Sequence, residues 1–97
     1  MSALLVQGDQ AEALLRQSLT LSRQLNNPWN VAMTLCRLGS LAHGLNRPEE
    51  AYQLFREGLD LLRRTGDPSG IAYSLSSLGV VATTLGRHTE ARKLLQE

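Results

Sequence analysis

Over residues 28–45 the apolar and small side chains fall at Val31, Ala32, Leu35, Leu38, Gly39, Ala42 and Leu45. Steps of three and four bring them to one side of an α-helix, so the spacing predicts an amphipathic helix here. Ala51, Leu54, Phe55, Gly58, Leu59 and Leu62 form a second such stripe over 48–64. Displaced by forty residues, the pattern returns. Leu35-Cys36-Arg37-Leu38-Gly39 aligns with Leu75-Ser76-Ser77-Leu78-Gly79, Arg47 with Arg87, and Glu50-Ala51 with Glu90-Ala91. The ungapped shift makes 57 pairs, of which 19 are identical, so the chain reads as an internal repeat. The same register predicts helices over 9–25, 68–85 and 88–97, and nothing reads as strand. A fixed period of this size marks a stacked array, in which each unit buries its apolar side against its neighbours.

The boundaries have their own chemistry. Asn27-Pro28 and Asp67-Pro68 each place a capping side chain before a proline whose missing N–H costs nothing in the first helical turn. Breaks are expected at Asn46-Arg47-Pro48 and Gly86-Arg87-His88, because Asn and Gly best tolerate the left-handed conformation that ends a helix. Thr65-Gly66-Asp67 reads as a turn into the next unit. Glu49 and Glu50 at one end of 48–64, and Arg63 and Arg64 at the other, match the helix dipole. Gly39 and Gly79 each cost about 1 kcal/mol relative to Ala inside a helix, a cost expected where two helices pass closely. Ala11, Ala51 and Ala91 are the expected opposite side of that crossing, with Leu38 and Phe55 beside it. Leu at position 39 or 51 should therefore overpack.

Composition narrows the function. Ten basic and nine acidic residues leave a net charge of +1, without the broad basic stripe that nucleic acid or an anionic membrane requires. The single cysteine, Cys36, has no internal disulfide partner, which fits a reducing cytoplasm. No stretch approaches the roughly 18 continuous apolar residues of a membrane span. Cys36 and His43 stand seven residues apart on one helix, about 10.5 Å of rise, too far to share a metal. No nucleophile–base spacing and no glycine-rich phosphate loop occurs, so neither catalysis nor a cofactor is expected. Trp29 is expected to be partly buried at the start of its helix. Asp60 stands four residues from both Arg56 and Arg64, where local ion pairs are expected.

Leu35-x-x-Leu38-Gly39-x-x-Ala42 followed by Ala51-x-x-x-Phe55-x-x-Gly58 resembles the tetratricopeptide repeat, and Gly79, Ala91 and Leu95 fit it again. The repeat is forty residues rather than the usual thirty-four, and the family's proline is displaced to Pro28 and Pro68. Such long repeats are similar to those of large bacterial LuxR-type regulators and signalling ATPases, and of kinesin light chains. The resemblance implies an all-α, right-handed superhelical stack of antiparallel helix pairs. It also implies one repeat domain over 1–97, with units at 1–27, 28–67 and 68–97, cut from a longer protein.

It implies a non-enzymatic module whose inner groove takes a protein or peptide segment. It does not imply nucleic acid or membrane as a direct partner. Carried over by register, the groove positions are Met33, Arg37 and Ser40, then Tyr73, Ser76, Ser77 and Val80; Cys36, His43 and Thr83 share the same stretch. Two alternatives stand beside this. Arg37 is a solvated residue and Tyr73 packs between units, or the chain is a structural spacer that self-associates through exposed helix ends.

Overall fold

A computed structural model describes residues 3–96, with residues 3–9, 88 and 95 described in backbone only. Five helices follow one another: α1 Ala3–Gln24, α2 Pro28–Gly44, α3 Pro48–Thr65, α4 Pro68–Thr84 and α5 His88–Gln96. Among the described residues there is no strand. Each helix packs on its neighbours in sequence, and α2 also packs on α4. The result is an all-α helical repeat solenoid in two layers, with α2 and α4 in one and α1, α3 and α5 in the other.

The turns recur every twenty residues. Asn26, Asn46, Gly66 and Gly86 all have positive φ, at 55°, 63°, 75° and 78°. After α1, α2 and α4 the residue following this one returns its N–H across six residues: Asn27 to Ser22, Arg47 to Ala42 and Arg87 to Ala82, at 2.8 to 3.1 Å. These are Schellman closures, which satisfy carbonyls the helix leaves open. After α3 only Gly66 N–H reaches back, to Leu62 at 2.9 Å, the simpler left-handed closure. A proline opens α2, α3 and α4. Asn27 caps α2 by accepting from the Asn30 amide. Asp67 makes no cap bond of that geometry to α4; its carboxylate accepts from the Trp29 indole N–H.

The core forms two clusters. Leu19, Val31, Leu35 and Leu38 pack between α1 and α2. Ala32, Cys36, Phe55, Leu62, Leu78 and Val81 belong to a larger one spanning α2 to α5. Leu54 and Leu61 of α3 touch both and weld the units together.

The glycines divide their work differently from the expectation. A Cβ on Gly39 would stand 2.9 Å from Cε2 of Phe55, so this glycine makes room for a ring, not for the backbone at Ala51. The close backbone passage is at Gly58, where a Cβ would meet Cys36 Sγ at 2.9 Å and the Ala32 carbonyl oxygen at 3.2 Å. Ala51 is fully buried nearby in the same helix.

Ion pairs lace the outer layer between units. Arg16 reaches Glu50 at 3.0 Å, and forty residues on Arg56 approaches Glu90 at 4.0 Å. Arg47 meets Glu12 at 3.2 Å; in the next unit Arg87 lies over the Tyr52 ring at 4.6 Å from its centroid and meets Glu49 at 3.2 Å. The Tyr52 hydroxyl donates to Glu90. Asp60 pairs with neither Arg56 nor Arg64; its expected local pairs give way to these contacts across units.

Candidate functional site

The side of α2 and α4 turned away from the outer helices carries the candidate site. Its sequence is unlike the rest of the chain. Between them the two helices contain one Arg, one His and no Asp or Glu, while hydroxyl residues are frequent.

On the open side, two hydrogen bonds join α2 to α4. Ser40 Oγ and the Tyr73 hydroxyl are 2.9 Å apart, and His43 Nε2 and Thr84 Oγ1 are 3.3 Å apart. Thr84 also donates to the Val80 carbonyl at 3.2 Å. A hydroxyl has one proton to give. The arrangement that satisfies both contacts has Thr84 donating to Val80 and accepting from His43 Nε2–H.

Between the two bridges lies a recess of about 180 Å³ lined by Ser40, His43, Phe55, Ser77, Val80 and Val81. Its floor comes from the outer layer, since Gly39 lets the Phe55 ring press through to the inner helices. Tyr73 stacks edge-on to that ring, centroids 6.4 Å apart and planes at 70°. This geometry suits the quadrupoles of an aromatic pair. It holds the half-exposed Tyr73 at the rim.

The predicted residues therefore separate. Ser40, Tyr73, Ser77 and Val80 surround the recess or its rim. Val80 leaves 53% of its surface open, the highest exposure of a large apolar residue in α2 or α4. Arg37 is exposed one turn before Ser40, and Ser76 is exposed one residue before Ser77. Met33 is half-buried against the core. Thr83 is exposed and bonds its own helix at the Gly79 carbonyl.

Cys36 lies in the core, fully buried, its Sγ 3.3 Å from Ser74 Oγ. Burial pushes its thiol pKa up, and the bond to Ser74 offsets this only in part. Such a thiol is inert toward nucleophilic chemistry. Ser74 was missed by sequence reading, because neither it nor Cys36 signals a partner in a different unit.

Trp29, 45% exposed, donates its indole N–H to Asp67 Oδ2 at 2.8 Å, tying the starts of α2 and α4 together. That bond holds the Asp67 carboxyl below its ordinary pKa, helped by the nearby amides of Gly70 and Ser69. A second hollow of about 300 Å³ opens at the α1–α2 turn, lined in part by Arg23, Asn27, Val31 and Glu57. Its charges already satisfy each other, Arg23 and Glu57 standing 3.4 Å apart.

Among the described residues no group of three His, Cys, Asp or Glu side chains could hold a metal ion. No described helix is long and apolar enough to cross a membrane.

Compared with known proteins, the chain matches a family model described as tetratricopeptide repeat twice, over residues 2–64 and 30–97. Searches of curated proteins and of solved structures returned no match.

Proposed function

This chain belongs to the tetratricopeptide repeat family, and on that premise we propose that it is a non-enzymatic docking module whose α2–α4 face takes a protein or peptide segment. Repeats of this family generally mediate protein–protein interaction. The observation that carries the reading here is the recess between the Ser40–Tyr73 and His43–Thr84 bridges. At about 180 Å³ it falls short of the roughly 300 Å³ at which small-molecule sites begin. It suits one side chain of a longer ligand. Its setting, in this proposal, is the sensor or docking part of a larger bacterial regulatory protein in the cytoplasm. The forty-residue form of the repeat and the lone buried thiol support that setting.

A second reading rests on α1, where Leu14, Leu21 and Leu25 are 64%, 55% and 70% exposed. The matching α3 residues, Leu54 and Leu61, are covered by the cluster that contains Leu15 and Leu19. An open row of this kind favours a spacer that self-associates. Peptide display on the immobilised chain separates the two. The docking reading expects enriched peptides whose binding is lost in Val80→Glu and kept in Leu21→Glu. Peptides indifferent to Val80→Glu, together with a sedimenting dimer that Leu21→Glu dissolves, would replace it with the second.

A further inference from the structure

We infer that the hollow at the α1–α2 turn is a site for a free aliphatic α-amino acid, bound as its zwitterion. The ligand's carboxylate meets Arg23, its ammonium meets Glu57, and its side chain lies on Val31 and Leu61. The walls of this hollow share no residue with the recess between α2 and α4, so it does not rest on the docking reading.

The seam between α1 and α3 is built differently at its two ends. Near Arg47 it is knitted shut by charge: Arg16 meets Glu12 at 3.2 Å and Glu50 at 3.0 Å, and Arg47 meets Glu12 at 3.2 Å. The space left there is about 10 Å³. Toward the α1–α2 turn the Arg23–Glu57 pair spans the seam, and the opening is about 300 Å³. That reaches the scale at which small-molecule sites begin, which the inner recess does not.

Two unlike charges at the rim decide the ligand's own charge. Arg23 and Glu57 are the charged residues of the lining, each 54% exposed, and a contact of 3.4 Å joins them. Exposed pairs of this kind hold weakly, so a ligand can open this one at little cost. A simple anion drawn to Arg23 is repelled by Glu57, and a simple cation meets the reverse. A molecule with both charges on one carbon offers each residue its opposite and exchanges one ion pair for two. An α-amino acid with free ends has that property. A longer peptide does not, since its two end charges are on different residues.

The other walls select the side chain. Pro28, Val31 and Leu61 give an aliphatic surface without an aromatic ring, on which an aliphatic group gains by leaving water and a ring finds nothing to stack. Asn26 and Asn27 bring carboxamides. Asn27 spends its oxygen on the Asn30 amide, which leaves its NH2 to donate to a ligand carboxylate. The corner after α3 lacks this set. Gly66 and Asp67 stand there in place of Asn26 and Asn27, and the Asp67 carboxylate is held by Trp29.

The test titrates L-leucine, N-acetyl-leucine and leucinamide into the whole chain, followed in two-dimensional amide NMR spectra. The expected result is saturable shifts at Asn27, Val31, Glu57 and Leu61, with leucine about fivefold tighter than either blocked form, the scale of one exposed ion pair. Arg23→Met should erase the difference between leucine and leucinamide, which lacks the carboxylate. Glu57→Gln should erase the difference between leucine and N-acetyl-leucine, which lacks the ammonium. No saturable shift with any of the three, blocked forms that bind as tightly as leucine, or differences that survive both substitutions overturn the inference. Shifts confined to Ser40, Ser77 and Val80 overturn it too, since they put the amino acid in the inner recess.

Discussion

In the outer layer Arg16–Glu50 is answered forty residues later by Arg56–Glu90, and where Glu12 becomes Tyr52 the arginine above it, Arg47 or Arg87, is kept. On the open side of the inner layer nothing is kept. Met33 becomes Tyr73, Arg37 becomes Ser77, Ser40 becomes Val80 and His43 becomes Thr83. Yet the buried side of those same helices repeats faithfully, in Leu35 and Leu75, Leu38 and Leu78, Gly39 and Gly79, Ala42 and Ala82. A stacking contact has to be met in every unit, so the residue that makes it recurs. An open surface has no such need, and its two halves differ.

Six substitutions probe that division. Phe55 belongs to both layers, as core of the unit and floor of the recess, so Phe55→Ala should destabilise most, by about 3–5 kcal/mol. Thermal unfolding checks this, and a small change would mean that the layers are not joined through the ring. Gly58→Ala should cost more than Gly39→Ala, within the roughly 1–3 kcal/mol of overpacking. At Gly58 the obstacle includes the Ala32 carbonyl, whereas at Gly39 it is a ring that can tilt. An inverted order in a denaturant series would relocate the tight crossing to Gly39.

Smaller still, Arg16→Met should lose no more than about 1 kcal/mol, and the loss should fade in salt, because both partners are largely solvated. Arg37→Met, without a partner to lose, should leave unfolding unchanged at any ionic strength. Equal salt-dependent losses would erase the distinction between the layers.

The smallest effect is expected at the helix starts. Trp29→Phe removes the indole N–H and should raise the Asp67 pKa toward its ordinary value, read directly by carboxyl NMR titration. The native pKa is lowered, so this contact contributes stability above the ordinary carboxylate pKa. That contribution is lost as pH falls through the lowered value. The variant should show a weaker acid-side dependence, the part due to the Gly70 and Ser69 amides remaining.

Helix positions were legible because three signals agree at each end: a stripe of apolar residues, a proline and a left-handed residue. Asn46 and Gly86 were found this way, and both have positive φ. Contacts between units were not legible. The sequence places Gly39 on the buried side, but which residue it faces depends on the crossing angle, and Phe55 rather than Ala51 fills the gap. Cys36 adjoins Arg37 in sequence, yet one step round a helix, about 100°, takes the chain from the buried side to the exposed one. Ion pairs failed for the same reason. Local spacing favoured Asp60, which pairs with neither arginine, while Arg16 reaches Glu12 in its own helix and Glu50 across units, and Arg56 approaches Glu90.

The turns that close after Asn26, Asn46, Gly66 and Gly86 have no slack, and this limits how such a chain can grow or shrink. One residue inserted in a helix swings everything beyond it by about 100° and detaches all later contacts from their mates. Forty residues inserted at a turn restore every neighbour. A chain built this way can therefore change length by whole modules, and not by single residues within a helix.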